Sequence, residues 1–535
     1  MRKYDLSGYF YQAHLYPNGH YILSYTLGLA LLEFPFFCLG HLFAMILGYP
    51  TDGFSIPYQF SITVCGTFYS LVGLWFTYRN LEFFFTQSLS LLLLCVIVFA
   101  TNYFYYSAFE NGMTHTYLFT AYAATIYYTV KWHRHPKLNY AIGLGIAIGL
   151  AIVMRPSEIV IILIPLLWSI TDKVSLRDKY IIISNAISHL IVLSIMVLAI
   201  GFLQLIYWKY ASGHWLYNSY KETGQSFDFL HPELLKGIFS LKKGWLVYSP
   251  VMILLFFGLF AMYKKANHIF WSISIYFVIN IWIVFSWCQW DYGGGFASRP
   301  LVQSYAVLVL ALGFAVESMF SKPLLKYLTI LFLVSCIGLN LMQTIQYAKG
   351  MLSPGGLNKY SYCLLFGKLA ICIDDLKAFQ GLDKFKGSIL FVDTLSVRTS
   401  DSPFILTKPI HLPKTETIIY SGDLKLKPNG YIQISAHGKF DYICYNYSQS
   451  PSLILSFLDL NENLLAQKTI KIEPLINKND YKLNVDYLGD PNIWCPFNFS
   501  LKLPESAKYL TISCVNQSTN NTQLDSLLIQ QVNLK

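Results

Sequence analysis

The chain has 535 residues, of which 54% are hydrophobic and only 13% charged, and its mean hydropathy is +0.44. Soluble domains carry ~25% charged residues; too few remain here to cover a water-exposed surface, which excludes a wholly soluble protein, a disordered chain and a small disulfide scaffold. The formal charge of +10 sits mostly in short loops between apolar runs, so membrane orientation accounts for it and no nucleic-acid partner is expected.

In chain order, residues 1–20 are aromatic and polar and lack the apolar core of a signal peptide. Apolar runs follow at about 24–47, 57–77, 84–103, 115–130, 139–153, 157–171, 183–207, 246–262, 269–287, 300–319 and 327–346, each near the ~20 residues that cross a bilayer. The first run contains Glu33, Pro35 and His41. An ionisable group in hydrocarbon needs a partner, so this run is expected to lie along the interface, with a spanning helix as the alternative. The two runs that flank Arg155-Pro156 are short and read as tilted spans, as half-helices meeting at a break, or as one kinked helix.

Lys and Arg in short loops orient the spans. With the loop after 57–77 inside, alternation puts Arg79, Lys131, Arg134, Lys137, Lys173, Arg177, Lys179, Lys264, Lys265, Lys322 and Lys326 on the cytoplasmic side, against Arg155 and Arg299 in the opposite short loops. The loop 209–245 and everything after about 347 then lie outside the cytoplasm. From about 385 the pattern changes to short alternating segments such as Tyr431-Ile-Gln-Ile-Ser435 and Tyr509-Leu-Thr-Ile-Ser513, separated by turn residues. That reads as an antiparallel β-sandwich. The expected architecture is an all-α membrane bundle of about ten or eleven spans or interfacial helices plus a C-terminal β-sandwich. Its divisions are an interfacial segment 1–56, the bundle 57–346, a linker 347–384 and an extracytoplasmic domain 385–535. That domain and its approach hold Cys363, Cys372, Cys444, Cys495 and Cys514, able to form a disulfide of undetermined pairing. Its Trp494 suits sugar stacking or a sandwich core.

Polar groups near the outer face are the candidates for chemistry. Trp290-Asp291-Tyr292-Gly293-Gly294-Gly295 leads to Arg299: glycines for close backbone approach, aromatic faces for a sugar ring, and a planar fork for phosphate. An aromatic-belt loop with a snorkelling Arg is the alternative. Arg155 either pairs with Glu158 or binds an anionic headgroup. Lys243, opening the run at 246, either meets phosphate or is an ordinary juxtamembrane lysine. In Glu110-Asn-Gly-Met-Thr-His115, His115 either orients a partner or caps a helix. Asp52, in a turn at 48–56, is a candidate catalytic carboxylate, since activating an acceptor hydroxyl calls for a general base. No Walker A, GxGxxG, HExxH or GxSxG motif is present, nor paired-cysteine metal spacing. The cofactor is undetermined, and the sequence gives no sign of a divalent metal site.

The series Tyr25-Thr-Leu-Gly28, Asp52-Gly-Phe-Ser-Ile-Pro-Tyr58-Gln59, Met113-Thr-His115, Arg155-Pro-Ser157, Lys243-Gly-Trp-Leu-Val-Tyr-Ser-Pro250 and Trp290-Asp-Tyr-Gly-Gly-Gly-Phe-Ala-Ser-Arg299 resembles bacterial multi-spanning GT-C type glycosyltransferases, similar to the protein mannosyltransferase and aminoarabinose transferase group. The resemblance implies an inverting enzyme of the bacterial inner membrane that moves a sugar from a polyprenyl-phosphate donor to a glycan, lipid or protein acceptor at the extracytoplasmic face. Arg299, Arg155 and Lys243 would hold the donor phosphate; Trp290, Asp291, Tyr292 and His115 would hold substrate. It also implies a first span and an acidic outer loop ahead of 24–47; this chain is expected to begin after that span, with 1–56 as the remnant of the loop. A lipid-linked glycan flippase and a noncatalytic envelope-assembly protein are the other classes compatible with these residues.

Overall fold

A computed structural model describes residues 13–352 apart from 219 and 221–224, residues 359–370, and, in the tail, 389–394, 410–411, 416–423, 431–440, 452–471, 495–502, 507–515 and 522–534. The chain divides into two units, Met1–Pro354 and Gly355–Lys535.

The first unit opens with an antiparallel pair, β1 (Ala13–Leu15) and β2 (Tyr21–Leu23). Helices follow as α1 (Gly28–Leu47), α2 (Ile56–Leu81), α3 (Gln87–Phe99), α4 (Tyr103–Ala108), α5 (Thr114–Arg134), α6 (Leu138–Met154), α7 (Leu163–Leu167), α8 (Lys173–Asn185) and α9 (Ile187–Ser212). The unit closes with α10 (Leu234–Phe239), α11 (Trp245–Tyr248), α12 (Leu254–Lys265), α13 (Asn267–Phe285), α14 (Tyr305–Phe320) and α15 (Pro323–Ala348). Every apolar run of the sequence carries helix. Among the described residues five helices, α1, α2, α9, α13 and α15, are long and apolar enough to cross a membrane. α14 is apolar all round and buried along nearly its whole length, which makes it the centre of the bundle. α5 is also interior, and three of its threonine hydroxyls are satisfied within the helix: Thr120, Thr125 and Thr129 donate to the carbonyls four residues back at 2.7–3.0 Å. Glu33 and His41 of α1 find partners as ionisable groups must: Tyr117 donates to the Glu33 carboxylate at 3.3 Å, and His41 Nδ1 lies 2.5 Å from the Tyr58 hydroxyl.

The two short runs around Arg155 break there. α6 ends at Met154, Arg155 is extended, and Pro156–Ile162 forms a 3₁₀ helix running into α7. A 3₁₀ turn rises ~2.0 Å per residue, so this stretched segment returns to the other end of the bundle in few residues. There Trp168 meets His133 of α5.

The bundle has a basic end. Arg134 and Lys131 stack on Phe83, Lys265 pairs with Glu317 at 2.8 Å, Phe84 meets His268, and Lys326 lies over Phe320. The opposite end holds the α4–α5 turn, Arg155, the start of α1 and the α13–α14 loop. Gly28 of α1 lies so close to the Met154 backbone that a Cβ would sit 2.3 Å from its nitrogen, and Thr26 donates to the Met154 carbonyl at 2.9 Å.

Among the described residues of the second unit, α16 (Lys359–Leu365) precedes nine strands, β3 (Ile389–Thr394), β4 (Ile410–His411), β5 (Thr417–Asp423), β6 (Tyr431–Phe440), β7 (Ser452–Leu458), β8 (Leu464–Lys471), β9 (Cys495–Lys502), β10 (Tyr509–Val515) and β11 (Thr522–Leu534). They form two antiparallel sheets, ordered β5-β10-β7-β8 and β3-β11-β6-β9, with β4 also on β11. Alternation of the kind expected is visible in β7, where Leu453, Leu455 and Phe457 are buried. Cys363 and Cys514 are free thiols; Cys372, Cys444 and Trp494 lie outside the described residues.

Candidate functional site

At the end of the bundle away from the basic cluster, four segments supply polar groups. Arg155, set outward by its extended backbone at the end of α6, reaches Glu158 at 3.2 Å. Glu158 is only 3% exposed; it also accepts from Tyr122 at 2.5 Å and from Gln303 at 3.0 Å. The carboxylate thus accepts three bonds and ties Arg155 to α5 and to the segment before α14.

His115 opens α5 with its ring against Tyr106, centroids 4.9 Å apart. It is buried, and its Nδ1 has no hydrogen-bond partner among the described residues. A buried polar atom without a partner is costly, so this nitrogen is available to a ligand.

The α13–α14 loop carries Trp290, Asp291, Tyr292 and Arg299. It is wound through positive φ at Tyr292 (55°), Gly293 (63°), Gly295 (136°) and Ala297 (54°), which two non-glycine residues adopt only when held. Tyr106 holds it, accepting from the Phe296 N–H at 2.7 Å and donating to the Phe296 carbonyl at 2.9 Å. Tyr292 donates to the Val284 carbonyl at 2.7 Å and stacks near Trp287. Trp290 is half-buried in the same loop. Arg299 donates to the Tyr292 carbonyl at 2.6 Å and points a second nitrogen at Met113 sulfur, 3.8 Å away. Among the described residues Arg299 has no carboxylate partner, so most of its five donors remain for an anion.

Lys242 and Lys243 approach the loop from the segment before α11. Lys242 forms an ion pair with Asp291. Lys243 donates to the Asp291 carbonyl at 3.0 Å and to the Gly293 carbonyl. Burial pulls the Lys243 ammonium down to about 7; the Asp291 charge opposes this, and Arg299 and Lys242 add to it. Asp291 is held below the usual carboxylate range: burial pushes it up, but the Lys242 hydrogen bond, the Gly293 N–H and the two lysine charges together outweigh that.

These groups share one field. The charges of Arg155 and Arg299 both reach His115 and Tyr292, and Arg299 also bears on Lys243. Asp52 is in a different setting: its Oδ1 accepts from Phe54 N at 2.8 Å and Ser55 N at 3.1 Å, an Asx turn at the start of α2. α2 is hydrogen-bonded to the Asn111 turn at Thr63, whose carbonyl accepts from Asn111 at 2.9 Å, seven residues into the helix, roughly 10 Å along it. Sequence reasoning passed over a nearer carboxylate, Glu110. One of its oxygens accepts from Tyr105 at 2.9 Å, the other is buried without a partner among the described residues, and its charge reaches Lys243 and Tyr106. Its place three residues before Met113 in the quoted turn was the available signal. Tyr122, Gln303 and Tyr106 carried none. Among the described residues, no three or more His, Cys, Asp or Glu side chains gather as metal ligands would.

Residues 54–199 match the model of the family described as dolichyl-phosphate-mannose-protein mannosyltransferase. The expected resemblance to GT-C type glycosyltransferases is borne out by this match, which takes in His115, Arg155 and Glu158 and stops short of Lys243 and Arg299. It supports a membrane glycosyltransferase. Among solved structures, the chain is similar to the oligosaccharyltransferase of Archaeoglobus fulgidus in its apo form, at 13% identity and TM-score 0.36, covering 68% of this chain and 52% of that one. It is similar to the same organism's AglB in complex with an inhibitory peptide and a dolichol-phosphate, at 12% identity and TM-score 0.36, covering 69% and 51%. It is also similar to arabinosyltransferase EmbB of Mycobacterium smegmatis, at 11% identity and TM-score 0.32, covering 87% and 57%. The chain spans about half the length of each of these structures. No curated protein matches it.

Proposed function

We propose that this chain is an inner-membrane glycosyltransferase that moves a sugar from a polyprenyl-phosphate donor to a glycan, lipid or protein acceptor at the extracytoplasmic face, where the second unit also lies. The observation that carries the reading is Arg299: a half-buried guanidinium with no carboxylate partner among the described residues, beside Arg155 and the unpartnered His115 nitrogen, at the end of the bundle opposite the basic cluster. Positive charge concentrated there suits a lipid phosphate at the outer leaflet, and lysines and arginines at the other end suit the cytoplasm.

In this reading the acceptor oxygen attacks the anomeric carbon from the face opposite the phosphate. The carbon–oxygen bond to the lipid phosphate breaks, the configuration inverts, and the phosphate leaves with the electron pair. Arg299, set by Tyr292, neutralises the charge that develops on it, with Arg155 second. Lys243 holds the loop carbonyls and adds its charge when protonated. His115 and the Trp290–Tyr292 stretch line the sugar. The acceptor proton goes to a carboxylate. Asp52 was the first candidate, but Glu110 shares the field of Lys243 and receives the role here.

Transfer of labelled sugar from a polyprenyl-phosphate donor by the purified, full-length chain is the test. Arg299→Ala is expected to lose at least a hundredfold in kcat/KM, about 2.7 kcal/mol of transition-state stabilisation. Glu110→Gln is expected to lose more than Asp52→Asn. Absence of transfer by the unaltered chain overturns the enzyme reading; near-normal turnover of Arg299→Ala removes that residue from the mechanism.

A further inference from the structure

The basic end of the bundle carries a groove that no step of the proposed reaction uses. A cavity of about 390 Å³ is lined by the apolar Leu167, Ile170, Leu176, Trp271 and Ile275 together with the polar run Thr171–Lys173. This volume falls within the ~300–1,000 Å³ of ordinary ligand sites. We propose that the groove binds an anionic phospholipid, an acyl chain lying along its apolar wall and the headgroup phosphate meeting Lys173 and Arg177. The inference is independent of the glycosyltransferase reading.

Three observations favour that occupant. The walls are held in place without a ligand. Lys179, itself buried, donates to the carbonyls of Pro165, Leu166 and Trp168 at 2.7–2.8 Å, fixing α8 to the end of α7, and Ser169 N donates to the His268 carbonyl at 2.8 Å, fixing the turn to the start of α13. The groove is therefore a formed feature. It also opens sideways onto a surface suited to lipid: Trp271 is 43% exposed on α13, a helix apolar enough to span, and Val174, Leu176 and Tyr180 are exposed on α8. Apolar side chains interleaved with Lys and Arg on a short helix are the pattern of a segment lying in the interface, and Trp belongs at headgroup depth.

The charge beside the groove selects the headgroup. Arg177 lies one turn beyond Lys173 on the same face of α8, and both are exposed. The Asp172 carboxylate is turned back onto its own helix, accepting from Ser175 N at 2.8 Å and Ser175 Oγ at 3.0 Å in a capping box. Asp178 projects from α8 roughly 140° away from Lys173 by helical geometry. Two cations therefore face the position that a phosphate takes when its acyl chain occupies the groove, and neutral zwitterionic headgroups gain less there.

The experiment titrates the delipidated, full-length chain in detergent with phosphatidylglycerol, with phosphatidylcholine of the same acyl chains, and with inorganic phosphate, reading bound lipid by native mass spectrometry and the thermal midpoint. Phosphatidylglycerol is expected to be retained at least tenfold more than phosphatidylcholine and to raise the midpoint, with no effect of inorganic phosphate. Lys173→Gln with Arg177→Gln is expected to bring phosphatidylglycerol down to the phosphatidylcholine level. Leu176→Trp, which fills the groove, is expected to lower both. Equal retention of the two lipids by the unaltered chain overturns the proposal, as does a preference that survives the double substitution or a midpoint shift reproduced by inorganic phosphate. The unaltered-chain comparison and Leu176→Trp decide the matter even if the double variant does not fold.

Discussion

Arg155 and Arg299 stand in the same field but differ in what they have left to give. Arg155 is paired with a carboxylate that is itself fixed by Tyr122 and Gln303, whereas among the described residues Arg299 spends donors on a carbonyl and a sulfur. The pairing of Arg155 with Glu158 was legible because the two are three residues apart. Tyr122 and Gln303 were not, because they come from distant parts of the chain and only packing brings them together. The ion pair between Lys242 and Asp291 was hidden for the same reason, and it leaves Lys243 buried on carbonyl oxygens. That burial makes a pH prediction. An unfolded lysine keeps its proton up to about 10.5, and the folded one gives it up above about 7. Between these values the unfolded chain binds more protons, so stability rises with pH across the window. The positive charge offered to an anion falls over the same range, so kcat/KM is expected to decline as pH rises through about 7. Lys243→Met is expected to remove the stability rise in denaturant titrations at stepped pH; a slope unchanged by that substitution assigns the effect to another group.

At the scale of elements, the glycine run in the α13–α14 loop was read as a place of close backbone approach, and the three glycines turn out to be unequal. A Cβ on Gly293 or Gly294 would meet nothing within 4 Å, but one on Gly295 would come within 3.0 Å of Arg299 Cδ and of the Tyr106 hydroxyl, at a φ of 136° that L-residues rarely adopt. Gly295 is therefore what lets Tyr106 and Arg299 close on the loop together. Gly295→Ala is expected to displace the guanidinium and cut transfer at least tenfold, with far-UV circular dichroism unchanged, while Gly294→Ala stays within about twofold of the unaltered chain. Equal effects of the two substitutions would mean that the loop tolerates a side chain anywhere. Hydropathy alone located the five described helices that are long and apolar enough to cross a membrane, because burial in lipid or in α14's surroundings demands an unbroken apolar run. It left open what happens at Arg155, since a break between two short runs reads the same whether the continuation is an α-helix or the stretched 3₁₀ segment observed.

Across the whole molecule, the two ends of the bundle differ in charge by design of the loops: the lysines and arginines of α5, α8, α12 and the α14–α15 turn gather at one end, and the candidate site occupies the other. Counting basic residues in loops anticipated this division, because the cost of moving Lys and Arg across a bilayer is a property of the loops and not of the fold. Orientation can be read with one thiol. Cys288 is exposed beside the loop of Trp290 and Arg299, and so belongs to the outer face if the site does. In intact cells a membrane-impermeant maleimide is expected to label a variant that keeps Cys288 as its one cysteine, the other cysteines, exposed Cys363 among them, being replaced by serine; the signal is lost when Cys288→Ser is added, while a cysteine introduced by Lys137→Cys in that cysteine-free background reacts only after permeabilisation. The reverse pattern would put the Arg299 end in the cytoplasm, where a lipid-phosphate donor would have to be met at the opposite leaflet, and the direction of transfer proposed here would fall with it.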